Sequence, residues 1–318
     1  MKALVTAEFT DDGVRRLEAL GYTVTRAGWG VTHQVLDRTA LLAAAQDATL
    51  LLTEIEAVDA EVLDALPSLA LVGTARGGPV NVDLAACAAR EIPVLFTPAR
   101  NADSVADFVV GTLISLLRGV GASERHLRAS GWDVDGELPY LRFRGPELSQ
   151  VTVGVVGNGA VGQRVVRRLR DGFGTRVLVF DPLQGLGSTL PELAKQVDVL
   201  TLHCPRVPAT QGLVDTELLQ LLGAGWVVNT AGGGIVDEQA LCDALDAGTL
   251  RGAALDCFAT EPLPRDSRLL RTPGLLLTPH LAGAAIDVVR HHTDLLCSDV
   301  ERWHRGEPLV HLAVTPTG

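Results

Sequence analysis

The chain of 318 residues lacks any apolar run of about 18 residues, the length that a membrane-spanning helix needs. Residues 1–5 lead directly into a strand pattern, without a signal-peptide cleavage site. An excess of basic residues is also missing, since 27 Lys and Arg stand against 38 Asp and Glu and give a net charge of −11. Nucleic acid and anionic membrane surfaces repel such a protein. We therefore expect neither as a partner, and we expect a cytoplasmic location.

Cysteines are few, and nothing in their spacing suggests pairing. The five of them are odd in number, widely separated and embedded in apolar or helical stretches: Cys87, Cys204, Cys242, Cys257 and Cys297. This pattern predicts reduced thiols rather than disulfides or a metal site. The adjacent His291 and His292 do not face each other on a helix, so no metal site is expected there either.

The most specific motif present is a glycine fingerprint that follows a short apolar strand pattern at residues 153–156. Gly157 allows a sharp turn off the strand, and Gly159 allows the backbone to approach a pyrophosphate. Gly162 lets the following helix pack closely against the strand. Ala160 and Val161 complete the turn, where free N–H groups and the helix dipole favour phosphate. The motif predicts a dinucleotide site.

An acidic residue follows the fingerprint at the expected distance. Asp181 ends a second apolar strand pattern, 19 residues beyond Gly162, and is placed to accept hydrogen bonds from both ribose hydroxyls. It would repel a 2′-phosphate, and no arginine follows it closely, so the predicted cofactor is NAD rather than NADP. In a chain with 33 glycines, a glycine-rich turn without a ligand is the alternative. The flanking strands, the helix and the acid favour the dinucleotide.

Alternating strand and helix patterns fill the first hundred residues, and a second such series begins at residue 151. This repetition predicts an α/β fold with two doubly wound parallel-sheet domains and a cleft between them for cofactor and substrate. A long helix is predicted over 102–117 and an amphipathic one over 285–305, whereas the aromatic segment 130–148 lacks periodicity. A solvated helix face is expected to carry Arg164, Arg167, Arg168 and Arg170.

Several further motifs, in order along nearly the whole chain, give it a family resemblance. They are residues 75–83, 101–108, the glycine fingerprint, 202–205, 229–231, 254–262 and 278–283. Together they resemble the D-isomer-specific 2-hydroxyacid dehydrogenases, which include D-3-phosphoglycerate and formate dehydrogenases. The resemblance implies a Rossmann NAD domain, residues 100–285, inserted in a flavodoxin-like substrate domain, residues 1–99 and 286–318. It also implies a homodimer through the NAD domain, with residues 132–143 as an arm.

The resemblance also implies site residues. His280 would be the acid/base for a 2-oxo acid, and Glu261 its partner, whose negative charge favours the protonated imidazole. Carboxylate contacts would come from the segment of Arg76, Gly77 and Gly78. The cofactor would be contacted by Asp256 at the nicotinamide carboxamide, Thr230 and Ala231 at the nicotinamide ribose, His203 and Pro205 at the adenosine, and also by Thr210 and Gly283.

One element of the family pattern is absent. Gly232 stands where the family has its substrate-binding arginine. A guanidinium contributes about 1.5 to 3 kcal/mol per charge-assisted hydrogen bond, so its loss predicts a reduction of ordinary 2-oxo acids at least about a hundredfold slower. Three explanations remain open. The protein has lost turnover, another cation such as Arg76 or Arg206 substitutes, or the opened pocket serves a non-standard substrate.

The functional prediction is an NAD-dependent oxidoreductase of the D-2-hydroxyacid dehydrogenase type, acting on a small, anionic molecule that is not the standard substrate. A regulatory or impaired NAD-binding relative is one alternative. A biosynthetic enzyme that uses bound NAD without net redox change is another. Retention of both His280 and Glu261 favours catalysis, because a pure NAD sensor does not need an acid/base pair.

Overall fold

A computed structural model describes residues 1–314, so residues 315–318 of the predicted segment 286–318 lie outside it. The chain divides into two compact units. The first contains Met1–Asn101 and the chain from Ala285 onward, and the second contains Ala102–Ala284.

The helices and strands alternate along both units. Up to Asn101 they are β1 (Lys2–Val5), α1 (Asp11–Ala19), β2 (Thr23–Arg26), α2 (Trp29–Thr32), α3 (Arg38–Ala44), β3 (Leu50–Thr53), α4 (Ala60–Ala65), β4 (Leu71–Thr74), α5 (Leu84–Ala89) and β5 (Val94–Leu95). The second unit contains α6 (Ala102–Leu117), α7 (Val120–Ser130), α8 (Pro139–Arg142), β6 (Thr152–Val156), α9 (Ala160–Arg167), β7 (Arg176–Phe180), α10 (Leu190–Ala194), β8 (Val199–Leu202), α11 (Thr216–Leu222), β9 (Trp226–Asn229), α12 (Glu238–Asp246), β10 (Gly252–Leu255) and β11 (Leu275–Leu277). The first unit ends with α13 (Asp287–Arg305) and β12 (Leu312–Val314).

The first unit is built on a six-stranded sheet in the order β12-β5-β4-β3-β1-β2. All neighbours pair in parallel except β12, which runs antiparallel to β5 at the edge. β3 and β4 are buried along their whole length, as expected for strands that helices cover on both faces. Asp37, Asp59 and Asp83 cap α3, α4 and α5 by accepting a hydrogen bond from a backbone amide.

The second unit contains a six-stranded sheet in the order β11-β10-β9-β8-β6-β7, parallel throughout. The strand order reverses between β6 and β8, which makes their carboxyl ends the expected place for a ligand. The register pairs Leu202 at the end of β8 with Asn229 at the end of β9. The loops that follow β6, β8, β9 and β10 therefore lie together at the carboxyl end of the sheet. The predicted α/β class with two doubly wound sheets is confirmed.

Two of the four arginines, Arg164 in α9 and Arg168 directly after it, differ from the prediction. The guanidinium of Arg164 donates to Asp103 at 2.8 Å, and that of Arg168 donates to Asp103 at 3.0 Å and to Asp107 at 2.6 Å. Both carboxylates belong to α6, so these two arginines bridge helices and the prediction of a solvated face was wrong for them. The aspartates are 61 residues away in sequence, too far for helix periodicity to reveal the pairs.

Among residues 1–314, no single helix has the length and apolar character of a membrane span. α6 and α7 pass that test only as a pair bent by 57°. α6 buries seven side chains, among them Val105, Val109 and Leu113, which belong to the core on one face of the second sheet.

Candidate active site

The glycine fingerprint forms the turn from β6 into α9. Gly157 has a φ of +92°, and a Cβ there would lie 2.8 Å from the backbone of His203, so only glycine fits. A Cβ at Gly162 would lie 2.0 Å from the carbonyl oxygen of Gly157. At Gly159, in contrast, a Cβ would meet no atom of the described residues within 4 Å. The turn is therefore packed on its protein side and open beside Gly159, at the amino end of the helix that starts at Ala160.

The open side of this turn fits a dinucleotide phosphate. Four residues lie between Gly157 and Gly162, and the amides among them that start α9 have no helical carbonyl to bond. Val161 is partly buried against the core and holds the first helical turn in place. A negatively charged group is stabilised where free amides and the helix dipole coincide.

Asp181, at the end of β7, is buried, and its carboxylate is already engaged. Oδ2 accepts from the amide of Asn158 at 2.8 Å, and Oδ1 accepts from the amide of Leu183 at 3.0 Å. The Gln184 side chain also donates to Oδ2 at 3.3 Å and to the Asn158 carbonyl at 3.0 Å. The acid thus ties the glycine turn to the loop after β7. A ribose hydroxyl would compete with Gln184 for the carboxylate.

Two buried polar atoms near the ends of β8 and β9 have no hydrogen-bond partner among the described residues: Nδ1 of His203 and Oγ1 of Thr230. Such atoms cost about 1 to 3 kcal/mol each when they remain unpaired. Nε2 of His203 contacts the Thr201 hydroxyl at 3.0 Å, and burial lowers the pKa of His203 to about 3, so the ring is neutral. Donors and acceptors of a bound nucleotide would fit both atoms.

The loop after β8 is braced internally. The Thr210 hydroxyl donates to the Pro205 carbonyl at 2.6 Å and accepts from the Val207 amide at 3.0 Å. These two bonds enclose Arg206, the residue between them. Thr210, predicted to contact the cofactor, therefore has a demonstrable task in shaping this loop. Its predicted cofactor contact, and that of Pro205, stay predictions.

Asp256, at the end of β10, holds the loop that carries His280. Its carboxylate accepts from the Thr278 hydroxyl at 2.6 Å, from the Leu281 amide at 2.8 Å and from the Ala282 amide at 2.8 Å. Its carbonyl accepts from the His280 amide at 2.9 Å. The prediction that Asp256 holds the nicotinamide carboxamide stays a prediction, as does the cofactor contact of Gly283, which follows Ala282.

The side chains of His280 and Glu261 are in contact and form an acid/base pair. Nδ1 of His280 lies 2.9 Å from Oε2 of Glu261, and Oε1 of Glu261 accepts from the Phe258 amide at 2.9 Å. His280 has a φ of +56°, in the left-handed region that few residues other than glycine adopt. Three hydrogen bonds from the loop to Asp256 sustain that conformation. Within residues 1–314, Nε2 has no hydrogen-bonding contact other than a long one of 3.9 Å to the Cys257 sulfur, which a substrate oxygen could replace.

The carboxylate of Glu261 is ionised at neutral pH. Partial burial raises the pKa of Glu261, but hydrogen bonds from His280 and the Phe258 amide, together with the charges of His280 and Arg206, outweigh it and lower the pKa below its ordinary value. Acid therefore removes this charge only at a pH below the range in which an ordinary glutamate is protonated. One ligand atom each from Cys257, Glu261 and His280 could approach a single ion. Burial raises the pKa of Cys257 to about 12, so its sulfur is a protonated thiol and a poor metal ligand.

A cavity of about 530 Å³ opens beside this pair. Its walls include His280, Glu261, Gly232 and Arg206, together with Ala231, Gly233, Phe258, Ala259 and Thr260. The structure thus brings together the predicted acid/base pair and Gly232, the position at which the family resemblance predicts an arginine. The turn at Gly232 is fixed by buried Asn229, whose side chain donates to the Gly232 carbonyl at 2.9 Å and accepts from the Ala231 amide at 3.1 Å.

The predicted carboxylate cradle lies in the first unit, just after β4. The Arg76 guanidinium donates to the Glu54 carbonyl at 3.4 Å, and Gly77 and Gly78 are exposed. A Cβ at Gly78 would meet no atom within 4 Å. Their part in substrate binding stays a prediction.

Sequence reasoning missed the residue that braces the Glu261 loop. Glu238, at the start of α12, accepts a hydrogen bond from the Ala259 amide at 2.6 Å. Asp237 is the N-cap of α12, so Glu238 lies in the first turn of the helix, where an acidic residue is favourable in any case. No spacing rule links a helix start to a loop 21 residues later, so the pattern contains no signal for this bond.

Comparisons with known proteins agree with this geometry. The sequence profile described as "D-isomer specific 2-hydroxyacid dehydrogenase, NAD binding domain" matches residues 110–282. The Bacillus subtilis protein YoaD, which carries the name of a 2-hydroxyacid dehydrogenase, is 36% identical over 98% of this chain and 93% of its own. A D-3-phosphoglycerate dehydrogenase of Mycobacterium leprae is 39% identical over 79% of this chain but only 48% of its own. The chain thus spans about half the length of that enzyme.

A solved structure is also similar over the full length. The NADPH-dependent glyoxylate/hydroxypyruvate reductase of Sinorhizobium meliloti, in complex with citrate, is 30% identical. The match has a TM-score of 0.78 and covers 98% of this chain and 97% of the other.

Proposed function

The chain belongs to the D-isomer-specific 2-hydroxyacid dehydrogenase family, and from that premise we propose that it interconverts a 2-oxo and a 2-hydroxy compound with His280 as acid/base. It is an oxidoreductase that acts on a CH–OH group, and its cofactor is NAD. The observation that carries the proposal is the 2.9 Å contact between His280 and Glu261 at the wall of the 530 Å³ cavity.

Each residue of the pair has a separate task. Glu261 fixes the orientation of the ring through Nδ1 and stabilises the imidazolium by its charge. His280 then presents Nε2, from which a carbonyl oxygen receives its proton during reduction and to which a hydroxyl returns it during oxidation. Asp256 positions the whole loop through its three hydrogen bonds and is not required to contact the substrate for that task.

The glycine turn, Asp181, His203 and Thr230 are the residues that would hold NAD. The cofactor, when bound, supplies or accepts the hydride. The packed side of the turn at Gly157 and Gly162 aims the start of α9 at the open space beside Gly159. His203 stays neutral because of burial and would meet an adenosine without adding charge.

The predicted homodimer belongs to the same proposal. Between α7 and β6 the chain exposes large apolar side chains, with Trp132 at 77% exposure and Tyr140 at 69%. Isolated apolar groups are common on surfaces, but several on one arm are typical of a surface that another protein covers. We propose that a second copy covers this arm.

The proposal is tested by NADH oxidation with glyoxylate, pyruvate, hydroxypyruvate and 2-oxoglutarate, beside aldehydes and phosphonates of matching size. We expect NADH to be consumed with at least one compound that carries a 2-oxo group. Binding of NADH without consumption by any compound would contradict the proposal and favour an NAD-binding regulator. Tightly bound NAD that is reduced and reoxidised within a turnover would favour the non-redox biosynthetic alternative.

Cofactor choice provides a second prediction. The charge of Asp181 at the end of β7 should exclude the 2′-phosphate of NADPH, because like charges in a part-buried site repel. Asp181→Asn keeps the size of the side chain and removes the charge. We expect the ratio of NADH to NADPH affinity to fall by about 10- to 100-fold, measured by calorimetry with both nucleotides.

The matched control is Asp198→Asn. Asp198 also accepts a backbone hydrogen bond, from the Thr152 amide at 2.8 Å, but it precedes β8 and lies at the amino end of the sheet, opposite the cofactor turn. We expect its cofactor ratio to equal that of the native protein. An unchanged ratio in Asp181→Asn would show that this carboxylate does not select the cofactor.

A further inference from the structure

Arg206 and Gly232 occupy neighbouring places on two adjacent loops. Arg206 follows β8 and Gly232 follows β9, and these strands pair in register at their ends. A Cβ built on Gly232 would lie 3.1 Å from Cβ of Arg206 and 3.8 Å from its Cδ. The side chain of Arg206 therefore lies against the surface from which an arginine at position 232 would project.

From this geometry we infer that Arg206 supplies the cation that binds the substrate carboxylate. It would replace the substrate-binding arginine that the family has at the position of Gly232. The inference rests on the proposed function and specifies its substrate class: 2-oxo acids, with the carboxylate on Arg206 and the carbonyl oxygen at His280. Both residues line the same cavity.

Charge supports the assignment. Arg206 is close enough to Glu261 to contribute to the lowered pKa of that carboxyl. Within residues 1–314, however, no carboxylate forms an ion pair with its guanidinium and no acceptor hydrogen-bonds to it. Its five N–H donors are thus unpaired within these residues, and Arg206 belongs to the lining of the cavity. A guanidinium that binds a carboxylate through two parallel hydrogen bonds is the strongest pairing of this kind.

The loop is also rigid enough to position the charge. Hydrogen bonds from Thr210 to Pro205 and from Val207 to Thr210 fix the backbone on either side of Arg206. The Gly212 amide donates to the Gly234 carbonyl at 2.8 Å, and the Val214 amide donates to the Ile235 carbonyl at 3.0 Å. These bonds tie the loop after β8 to the turn after β9, so Arg206 is held beside Gly232.

The glycine itself fits this arrangement. Gly232 does not have a positive φ, so its backbone would accept a side chain, unlike Gly234 at +79°. Gly233 is excluded for another reason, because its Cβ would lie 1.7 Å from the Phe258 carbonyl oxygen. Among the described residues, Cβ of Arg206 is the one atom closer than an ordinary contact distance to a Cβ at position 232, since Cδ1 of Ile235 lies 3.6 Å away. The absence of a side chain at Gly232 therefore provides the space that the side chain of Arg206 occupies.

The test compares the native enzyme with Arg206→Gln, and uses oxamate as a non-reacting carboxylate probe. Titration of the enzyme–NADH complex with oxamate, followed by NADH fluorescence, should show affinity about 10- to 100-fold weaker in the variant. kcat/KM for the best 2-oxo acid should fall by a similar factor, whereas its 2-oxo amide, which has no carboxylate, should change by less than about threefold. NADH affinity should stay the same.

A second variant relocates the cation. In the Arg206→Gln background, Gly232→Arg should recover at least about tenfold of the lost oxamate affinity and kcat/KM. In the native background, Gly232→Arg should leave oxamate affinity and kcat/KM no higher than in the native enzyme, since two guanidinium groups would compete for one place. Such non-additivity is expected when both positions serve one site. Arg176→Gln is the matched control, because Arg176 starts β7 at the amino end of the sheet. Its oxamate affinity and kcat/KM should equal those of the native enzyme.

The outcomes separate this inference from the proposed function. Unchanged oxamate affinity in Arg206→Gln, or equal losses for acid and amide, would overturn the role of Arg206 even if NADH is oxidised. A loss of NADH affinity equal to the loss of oxamate affinity would make Arg206 a cofactor contact and would also overturn it. Arg206-dependent oxamate binding in a protein that oxidises no NADH would support Arg206 and overturn the proposed function alone.

Discussion

His280→Asn should lower kcat by about 100- to 10,000-fold, the range that a general acid/base contributes, while NADH affinity stays unchanged. The proton on the imidazole is the only part of the reaction that this side chain is proposed to supply. Asparagine is the informative replacement because His280 has a φ of +56°, and asparagine adopts the left-handed region more readily than alanine. The loop held by Asp256 should therefore keep its shape.

Steady-state kinetics and NADH titration measure this prediction, and thermal unfolding verifies that the variant is folded. His33→Asn is the matched control, because His33 also has a left-handed φ, +54°, and its side chain is 65% exposed in the first unit. We expect native kcat for it. A folded His280→Asn protein that retains more than about a tenth of native kcat would assign the proton transfer to another group.

Gly159→Ala and Gly162→Ala add the same methyl group to one turn but should impair different properties. The first should weaken NADH binding, and the second should lower folding stability. A Cβ at Gly162 would lie 2.0 Å from the Gly157 carbonyl, so that variant should lose about 1 to 3 kcal/mol of folding stability or more. A Cβ at Gly159 meets nothing within 4 Å, so its thermal unfolding should be native. It should nevertheless bind NADH about 10- to 100-fold more weakly, as expected when one charged hydrogen bond to phosphate is lost.

Thermal unfolding without nucleotide and calorimetric NADH binding separate the two effects. Gly172→Ala is a control for the methyl group itself, since its Cβ would also meet nothing within 4 Å and it lies away from the turn. Native NADH affinity in Gly159→Ala would show that no phosphate approaches this backbone, and the proposed cofactor position would then be wrong.

Local patterns predicted the architecture because each one is a property of neighbouring residues. The apolar run of β6, the glycines after it and the acid at residue 181 lie within one strand–helix–strand unit, whose geometry is fixed. The long helix predicted over 102–117 is α6, with the bounds Ala102–Leu117. The last helix starts at Asp287, two residues later than predicted, where helix ends are least certain.

The site was harder to predict because its contacts join loops that are distant in sequence. The pairing of Arg164 with Asp103 and of Glu238 with Ala259 has no periodicity that a sequence could reveal. For Gly232 the sequence showed a missing arginine and left three explanations open. Only the fold places Arg206 within 3.1 Å of a Cβ at that position, because register, not sequence separation, decides which loops meet.

Asp256 illustrates the opposite difficulty. Its motif marked it as a cofactor contact, whereas three protein hydrogen bonds engage its carboxylate. An acid at a strand end can serve a ligand or a loop, and the residue type is the same in both cases. The positions of the Thr278 hydroxyl and of the amides after His280 reveal the task in the loop, and the predicted cofactor contact of Asp256 stays a prediction.

The most direct test of the proposed reaction is a single-turnover measurement. Enzyme saturated with NADH that carries deuterium at both C4 positions of the nicotinamide is mixed with excess 2-oxo acid, and NADH absorbance and the product are followed together. We predict that one equivalent of NADH is lost for each D-2-hydroxy acid formed and that the label is found on its second carbon. Binding of NADH and of the acid without loss of absorbance or transfer of label would contradict hydride transfer by this protein.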